Sequence, residues 1–247
     1  MHPIAGGLCT ICGERLFSSY ALSAAGGEPR CGLCRRLEPA FARAVAYGSY
    51  DGGLRELIHL LKYGSVRPAA NVLGRMLAEA IARLEADFQT DSMVMVPVPL
   101  FRARLRSRQF NQAEMIARAA MKLNPVPGRL RLCEEVLERK RETPSQTGLT
   151  RRQRRENVRG AFAVAQPDAV KGREVLVVDD VYTTGATVSE CARVLRRAGA
   201  TKVWVATVAR TLKASAQQVE VQLADDAVSV EEFPAAREVP LARAAGS

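Results

Sequence analysis

The segment from Val175 to Thr187 constrains the fold more than any other part of the chain. It reads VLVVDDVYTTGAT: an apolar strand, two carboxylates, a turn of small residues and the start of a helix. A strand that is apolar on both faces is typical of a buried parallel sheet, and open α/β sheets bind ligands at the carboxyl ends of such strands. The segment therefore predicts a site in which Asp179 and Asp180 lie beside a helix N-terminus.

The turn has the composition of a phosphate-binding loop. Backbone N–H groups of residues 182–187 and the hydroxyls of Thr183, Thr184 and Thr187 can surround a phosphate, and Gly185 permits close approach of the backbone. The two acids cannot hold phosphate themselves, but they suit sugar hydroxyls next to it. An ordinary strand–turn–helix with a capping Asp explains one acid and one Thr, but not both acids together with T-T-G-x-T.

Strands and helices alternate along most of the chain, which predicts a mostly parallel α/β sheet flanked by helices. Strands are predicted at 41–50, 93–100, 161–165, 174–178 and 202–210, and helices at 54–64, 69–86, 111–123 and 187–198. Residues 139–159 are basic and polar without a clean period, so we expect a long mobile loop there. After Leu212 the composition becomes Ala-rich and mixed, which predicts a loosely ordered tail.

Two C-x2-C pairs, separated by 18 residues, lie in a short Gly-rich region at the N-terminus. The predicted metal ligands are Cys9, Cys12, Cys31 and Cys34. This spacing is typical of a four-thiolate zinc ribbon, with a closed site that serves folding or docking. Disulfides are disfavoured in a cytoplasmic chain, and a redox C-x-x-C does not come as two spaced pairs. We therefore expect structural Zn²⁺ in residues 1–38, an α/β domain over 39–212, and the tail over 213–247.

The positive charge of the chain is concentrated in one stretch. The formal net charge is +10, and residues 102–159 hold 16 Lys and Arg against six Asp and Glu, so the remainder is neutral. Arg predominates in this stretch, and its planar fork matches phosphate oxygens, which favours phosphate chemistry or nucleic acid over a merely solvated face. We expect no membrane span, because no apolar run reaches about 18 residues, and no secretory signal; a cytoplasmic protein follows.

The acidic strand end and its turn resemble the phosphoribosyl pyrophosphate signature of type I phosphoribosyltransferases. By that resemblance, Asp179 and Asp180 contact the ribose hydroxyls. The 5-phosphate would be held by Val181, Tyr182, Thr183, Thr184, Gly185, Ala186 and Thr187. Thr183 stands where purine-salvage members have an Asp that engages the base, which argues against transfer to a purine.

More of the chain, from about Cys9 to Arg210, is similar to the competence protein F family. The resemblance is carried by VPVPL, FNQAE, SQTGL, NVRGAF and the four-cysteine ribbon, with Phe101 where many members have His and Gln109 where many have Gly. It implies a pyrophosphate loop after Pro99, a mobile hood over 139–155, and Mg²⁺ on the diphosphate. The residues implied there are Arg102, Arg104, Arg106, Arg108, Arg139, Thr143, Gln146 and Arg151.

That family resemblance implies a role in DNA uptake and natural transformation. The partners it implies are phosphoribosyl pyrophosphate, single-stranded DNA and a competence helicase. Two hypotheses stay open: a type I phosphoribosyltransferase with an unknown acceptor, or a non-catalytic competence factor that senses phosphoribosyl pyrophosphate or binds single-stranded DNA. No catalytic residue is assigned, because the sequence offers no convincing general base for an acceptor.

Overall fold

A five-stranded parallel sheet forms the centre of the computed structural model, which describes residues 4, 6–17, 28–64, 66–144 and 148–212. The strands are β1 (Arg43–Ser49), β2 (Met93–Pro97), β3 (Leu130–Leu132), β4 (Leu137–Arg139), β5 (Phe162–Val164), β6 (Glu174–Tyr182) and β7 (Lys202–Arg210). The central sheet has the order β1-β7-β6-β2-β3, whereas β4 and β5 form a separate antiparallel pair. Every residue of β2 is buried, as expected for an inner parallel strand.

Helices cover both faces of this sheet. They are α1 (Gly32–Arg36), α2 (Gly52–Tyr63), α3 (Ala69–Ala82), α4 (Arg102–Arg108), α5 (Gln112–Met121), α6 (Arg151–Val158) and α7 (Ala186–Arg197). α2, α3 and α5 pack on one face against β6 and β7, while α7 and the β4–β5 pair cover the other. The predicted fold class is thereby confirmed. No helix among the described residues is long and apolar enough to cross a membrane.

The loop predicted over 139–159 is wrong for its second half, which forms α6. Thr150 caps this helix: its Oγ1 accepts the Gln153 N–H (3.3 Å), and the Gln153 side chain accepts the Thr150 N–H (2.8 Å). Val158 is the one buried side chain of the helix. A helix with so narrow an apolar face shows no hydrophobic period, so the periodicity misses it and only the capping box marks its start.

Strand β6 is longer than predicted, and this changes where the two acids lie. The apolar run ends at Val178, but parallel pairing with β7 continues, with Asp179 opposite Thr207 and Tyr182 opposite Arg210. Both acids are therefore strand residues, so their side chains point to opposite faces of the sheet. The other predicted strands and helices are present within a few residues of their expected bounds.

The cysteine-containing region packs directly on the sheet. The Ala44 N–H in β1 donates to the Ile11 carbonyl at 2.7 Å. Cys9, Cys12 and Cys34 are buried in the same apolar cluster as the inner residues of β6 and β7. The cysteine-containing region thus packs against the sheet, and the tail from 213 lies outside the described residues. The boundaries of the three predicted domains stay predictions.

Candidate functional site

Two carboxylates lie at the end of β6 and have different neighbours. Oδ2 of Asp180 is 2.5 Å from Nζ of Lys62, in the last turn of α2, and both side chains are largely buried. Asp179 lies on the opposite face of the strand, and its Oδ1 accepts the Asp180 N–H at 2.9 Å. One acid is therefore part of an ion pair, and the other is held by the backbone.

The two acids differ in the charges and the burial that surround them. Burial, and then the adjacent Asp180 charge, raise the pKa of Asp179 to about 8, which Lys62 offsets only in part. Burial opposes the charge on Lys62, but attraction to Asp180 outweighs it and raises the pKa of Lys62. A hydroxyl donor or a cation beside Asp179 would favour its charged form. Asp179 is thus the acid that gains most from a sugar hydroxyl or a metal ion.

Residues 181–187 comprise the end of β6, the turn after it and the start of α7; this segment, predicted to bind phosphate, is here called the phosphate loop. Gly185 has φ +76°, and a Cβ there would clash with Oη of Tyr182, so no other residue fits without rearrangement. Gly185 is the N-cap of α7 and provides no side-chain cap for the first N–H groups of the helix. Oγ1 of Thr184 is buried and has no hydrogen-bond partner among the described residues. The hydroxyl of Thr184 is therefore a buried donor without an acceptor among the described residues, as expected in a loop that binds an anion.

Helix α6 contacts the phosphate loop through one arginine. Arg154 donates from Nη1 to Oγ1 of Thr183 at 3.2 Å and from Nε to the Leu149 carbonyl at 2.9 Å. The helix thus lies over one side of the loop, where the predicted hood would stand. Arg154 was not among the predicted site residues, although the T-x-x-Q capping box at Thr150 is a signal that places a helix here.

Two predicted arginines converge on Thr143. Arg104 donates from Nη2 to the Thr143 carbonyl at 3.3 Å, and Arg139 donates to the Thr143 hydroxyl. Burial, and then the Arg104 charge, lower the pKa of Arg139, whose guanidinium lies over the Phe162 ring at 5.2 Å. Over the described ranges neither arginine forms an ion pair. Two nearby guanidiniums without a carboxylate partner would gain from an anion between them.

The remaining predicted residues lie apart from this group. Arg102 and Arg106 are exposed on α4, and Arg108 lies over the ring of Tyr63 at 5.0 Å. Arg151 is exposed at the start of α6, and Gln146 lies outside the described residues. Arg139 interacts electrostatically with Asp179, and Arg104 and Thr143 adjoin Arg139. The ligand roles of all these residues stay predictions.

Lys62 is a site residue that no feature of the sequence indicates. It belongs to an ordinary amphipathic helix, and its contact with Asp180 depends on how α2 packs below the edge of the sheet. No local motif marks it. The sheet order, in which β1 and β6 both flank β7, is what brings the end of α2 to the site.

The four cysteines predicted as metal ligands come together. Their Sγ atoms all lie within 4.8 Å of one another, and Cys12 and Cys31 are 3.7 Å apart. A tetrahedral zinc site with Zn–S bonds of about 2.3 Å requires sulfur atoms about 3.8 Å apart. The donor set and spacing therefore fit Zn²⁺ without an open coordination position.

An arginine-rich cleft of about 770 Å³ lies between the segment 33–41, helix α6 and the start of α7. Its arginines are Arg36, Arg151, Arg152, Arg155, Arg159 and Arg193. Arg152 and Arg193 are paired with glutamates on their own helices. Arg151, Arg155 and Arg159 follow helical spacing and form no ion pair within the part of the chain that the structure describes. The cleft reaches Thr184 and Ser189 beside the phosphate loop, so it is a second surface suited to anions.

Comparisons with known proteins agree with this geometry. The family model "Phosphoribosyl transferase domain" matches residues 77–237. The DNA utilization protein YhgH of Escherichia coli O6:H1 is 33% identical over 214 residues, covering 83% of this chain and 91% of that protein. Competence protein F of Haemophilus influenzae is 29% identical, covering 85% and 93%. A hypoxanthine phosphoribosyltransferase structure from Staphylococcus aureus matches with 13% identity and a TM-score of 0.36, covering 57% and 64%, which is too distant to carry an argument.

Proposed function

The chain belongs to the competence protein F family and contains its phosphoribosyl transferase domain, and we propose that it binds phosphoribosyl pyrophosphate with Mg²⁺ and acts in DNA uptake. The names of its relatives support the role in DNA uptake. One arrangement supports phosphoribosyl pyrophosphate as the ligand: two acids, a loop rich in hydrogen-bond donors and two arginines lie at the same edge of the sheet. This site would operate in the cytoplasm, with a competence helicase as a further partner.

Each part of the ligand has matching groups in this arrangement. The 5-phosphate suits the N–H groups of the phosphate loop and the unpartnered hydroxyl of Thr184. The ribose hydroxyls suit the carboxylates of Asp179 and Asp180, and the diphosphate suits Arg104 and Arg139. Mg²⁺, when bound, neutralises the diphosphate and makes it a better leaving group.

Transfer would break the bond between the anomeric carbon and the diphosphate and form one to an acceptor. Positive charge develops on the ribose ring during that step, so fixed carboxylates nearby stabilise it. Helix α6, held to Thr183 by Arg154, would limit the access of water to the reacting carbon. A sensor needs the same binding groups but no acceptor, so binding is the first property to measure.

The binding test is a thermal shift with phosphoribosyl pyrophosphate and Mg²⁺ on the full chain. We expect the wild type to be stabilised and a double variant, Asp179→Asn with Asp180→Asn, to lose the ligand-dependent shift. Glu85→Gln with Asp168→Asn removes two exposed acids and should keep the shift. A shift that survives in the Asp179/Asp180 variant would place the ligand elsewhere. Release of pyrophosphate across a panel of nitrogenous acceptors then distinguishes an enzyme from a sensor.

The arginine-rich cleft favours a second candidate function, the binding of single-stranded DNA. Among the described residues Arg151, Arg155 and Arg159 form no ion pair, and they follow one side of α6 and its C-cap. Phosphate contacts made by such cations cause nucleic-acid affinity to fall steeply with salt. We expect a variant with Arg151→Ala and Arg155→Ala to bind weakly and with a shallower salt dependence. Arg75→Ala, an exposed arginine on α3, is the matched control. Equal binding by both variants would exclude this cleft as the DNA surface.

A further inference from the structure

Arg210, the last residue of β7, lies between the four-cysteine cluster and the phosphate loop. Its Nη2 is 3.6 Å from Sγ of Cys12 and 3.3 Å from Oε2 of Glu14. Its guanidinium carbon is 4.2 Å from the centroid of the Tyr182 ring. Arg210, Glu14 and Tyr182 are all more than nine-tenths buried. These contacts are therefore made away from water, where charge interactions are strong.

Tyr182 extends this series of contacts to the phosphate loop. Its hydroxyl packs so closely against Gly185 that a Cβ on that glycine would clash with it. Its carbonyl accepts the Thr211 N–H at 3.0 Å, which ties it to the residue after Arg210. A displacement of the Tyr182 ring would thus displace Gly185, the N-cap of α7. Contacts run without interruption from Cys12 through Arg210 and Tyr182 to the loop.

The negative charge of a zinc-loaded cysteine cluster would stabilise the buried guanidinium of Arg210. Four thiolates around Zn²⁺ carry a net negative charge, and donors in the surroundings of a metal site orient and stabilise its ligands. Loss of the metal would release Cys12 from its fixed place in the cluster. The contact between its Sγ and Nη2 of Arg210 would then no longer be constrained, whereas the ion pair of Arg210 with Glu14 would remain.

We propose that Arg210 is a positioning residue that couples metal binding at the four-cysteine cluster to the affinity of the phosphate loop. This inference rests on the proposed function, because the loop must bind a phosphorylated sugar. Loss of the metal weakens the contact between Cys12 and Arg210, and Tyr182 and Gly185 then become free to move. Thermodynamic linkage then requires the converse: a ligand on the loop strengthens metal binding by the same factor.

The test measures both directions of this linkage on the full chain. In the first, phosphoribosyl pyrophosphate with Mg²⁺ is titrated into zinc-loaded and zinc-depleted protein, and we expect roughly tenfold weaker binding after depletion. In the second, zinc affinity is measured by competition with a zinc-selective chelator, and the ligand should increase it by a similar factor. Ribose 5-phosphate serves as a second probe that occupies the loop without the diphosphate.

Variants identify the residue that carries the coupling. Arg210→Met should lower both affinities and abolish the linkage, and Arg210→Lys, which keeps the charge, should restore part of it. Lys202→Met is the matched control, because Lys202 starts the same strand and lies 5.0 Å from the Trp204 ring, far along β7 from the loop. It should leave both affinities unchanged.

The outcomes separate this inference from the proposed function. Absence of ligand binding by zinc-loaded wild type overturns both. Ligand binding that is equal with and without zinc, together with a zinc affinity that ignores the ligand, overturns the coupling alone. If depleted protein or Arg210→Met fails to fold, the zinc-affinity measurement on folded wild type still decides, since it needs neither.

Discussion

The Lys62 ammonium lies 2.5 Å from the Asp180 carboxylate and joins the end of α2 to the end of β6. Asp179 lies on the other face of the strand. Lys62 lowers the pKa of Asp179 by less than burial and the Asp180 charge raise it, so this pKa stays above its ordinary value. The two acids therefore differ: Asp180 is held by an ion pair before a ligand arrives, whereas we expect Asp179 to lose its proton when one binds.

Replacing Lys62 by Met tests the support given to Asp180. It leaves a buried carboxylate without its cation, and we expect the free energy of unfolding to fall by about 3 kcal/mol. Urea denaturation at pH 7.5 measures this, with Lys122→Met, an exposed lysine, as the control. Asp180→Asn added to Lys62→Met should recover part of the loss. Equal stability of the two lysine variants would show that the ion pair contributes nothing.

The raised pKa of Asp179 predicts a pH dependence of stability with a definite sign. The folded state favours the protonated carboxyl, so this group's contribution is fully present below about pH 4 and is lost as pH rises towards 8. Asp179→Asn removes the charge and should make the protein more stable than wild type at pH 8.5, by at least about 1 kcal/mol. At pH 5 the difference should be smaller. A stability difference that is the same at both pH values would contradict the assignment.

The raised pKa of Asp179 also predicts that ligand binding releases protons. A sugar hydroxyl or Mg²⁺ beside Asp179 favours its carboxylate, so phosphoribosyl pyrophosphate should bind more tightly as pH rises from 6 to 8. Calorimetry of wild type in two buffers of different ionisation enthalpy measures the protons released. Asp179→Asn should release fewer. Identical proton release by both proteins would assign the titration to another group.

Gly185→Ala separates backbone strain from steric clash in the phosphate loop. The substitution places a Cβ against Tyr182 at a positive φ, and we expect a loss of at least about 2 kcal/mol together with loss of ligand binding. Gly172→Ala is the matched control, since Gly172 has φ +72° but no atom within 4 Å of an added Cβ. Gly172→Ala should lower the free energy of unfolding by the backbone strain alone, about 1 kcal/mol. Equal losses would mean that the contact with Tyr182 is unimportant.

Gln109→Gly should stabilise the protein. Gln109 ends α4 at φ 63°, in the left-handed region where a side chain costs about 1 kcal/mol relative to glycine. We expect a melting temperature higher by a few degrees. Gln166→Gly is the control, because Gln166 has an ordinary φ of −124° and should gain nothing. A Gln109 variant that is no more stable than wild type would show that the strain is relieved elsewhere.

Some parts of the fold and of the candidate site can be predicted from the sequence, and others cannot. The strand, turn and helix around residues 179–187 are predictable because they follow one another directly in the chain, although β6 continues past the apolar run to Tyr182. The cysteine pairs are predictable for the same reason. Lys62 and Arg210 are not, because each reaches its partner only when distant segments pack at the same edge of the sheet. The ligand roles of residues 179–187 stay predictions.

Helix α6 shows a different limit. With Val158 its one buried side chain, it owes its formation to the capping box at Thr150 and to the contact between Arg154 and Thr183, and hydrophobic periodicity is blind to both. The left-handed Gln109 is similar: no periodicity or motif in the sequence indicates a positive φ at a glutamine, and only the backbone angle shows it.

The shallow anchoring of α6 also determines how the site would open. Eight residues held by one apolar side chain and a few polar contacts have little to lose on melting, so α6 would unravel at a small fraction of the cost of global unfolding. Access to the phosphate loop would then be governed by a local helix–coil equilibrium rather than by rotation of a rigid flap. Amide hydrogen exchange along Arg151–Val158 would accordingly be far faster than along β6.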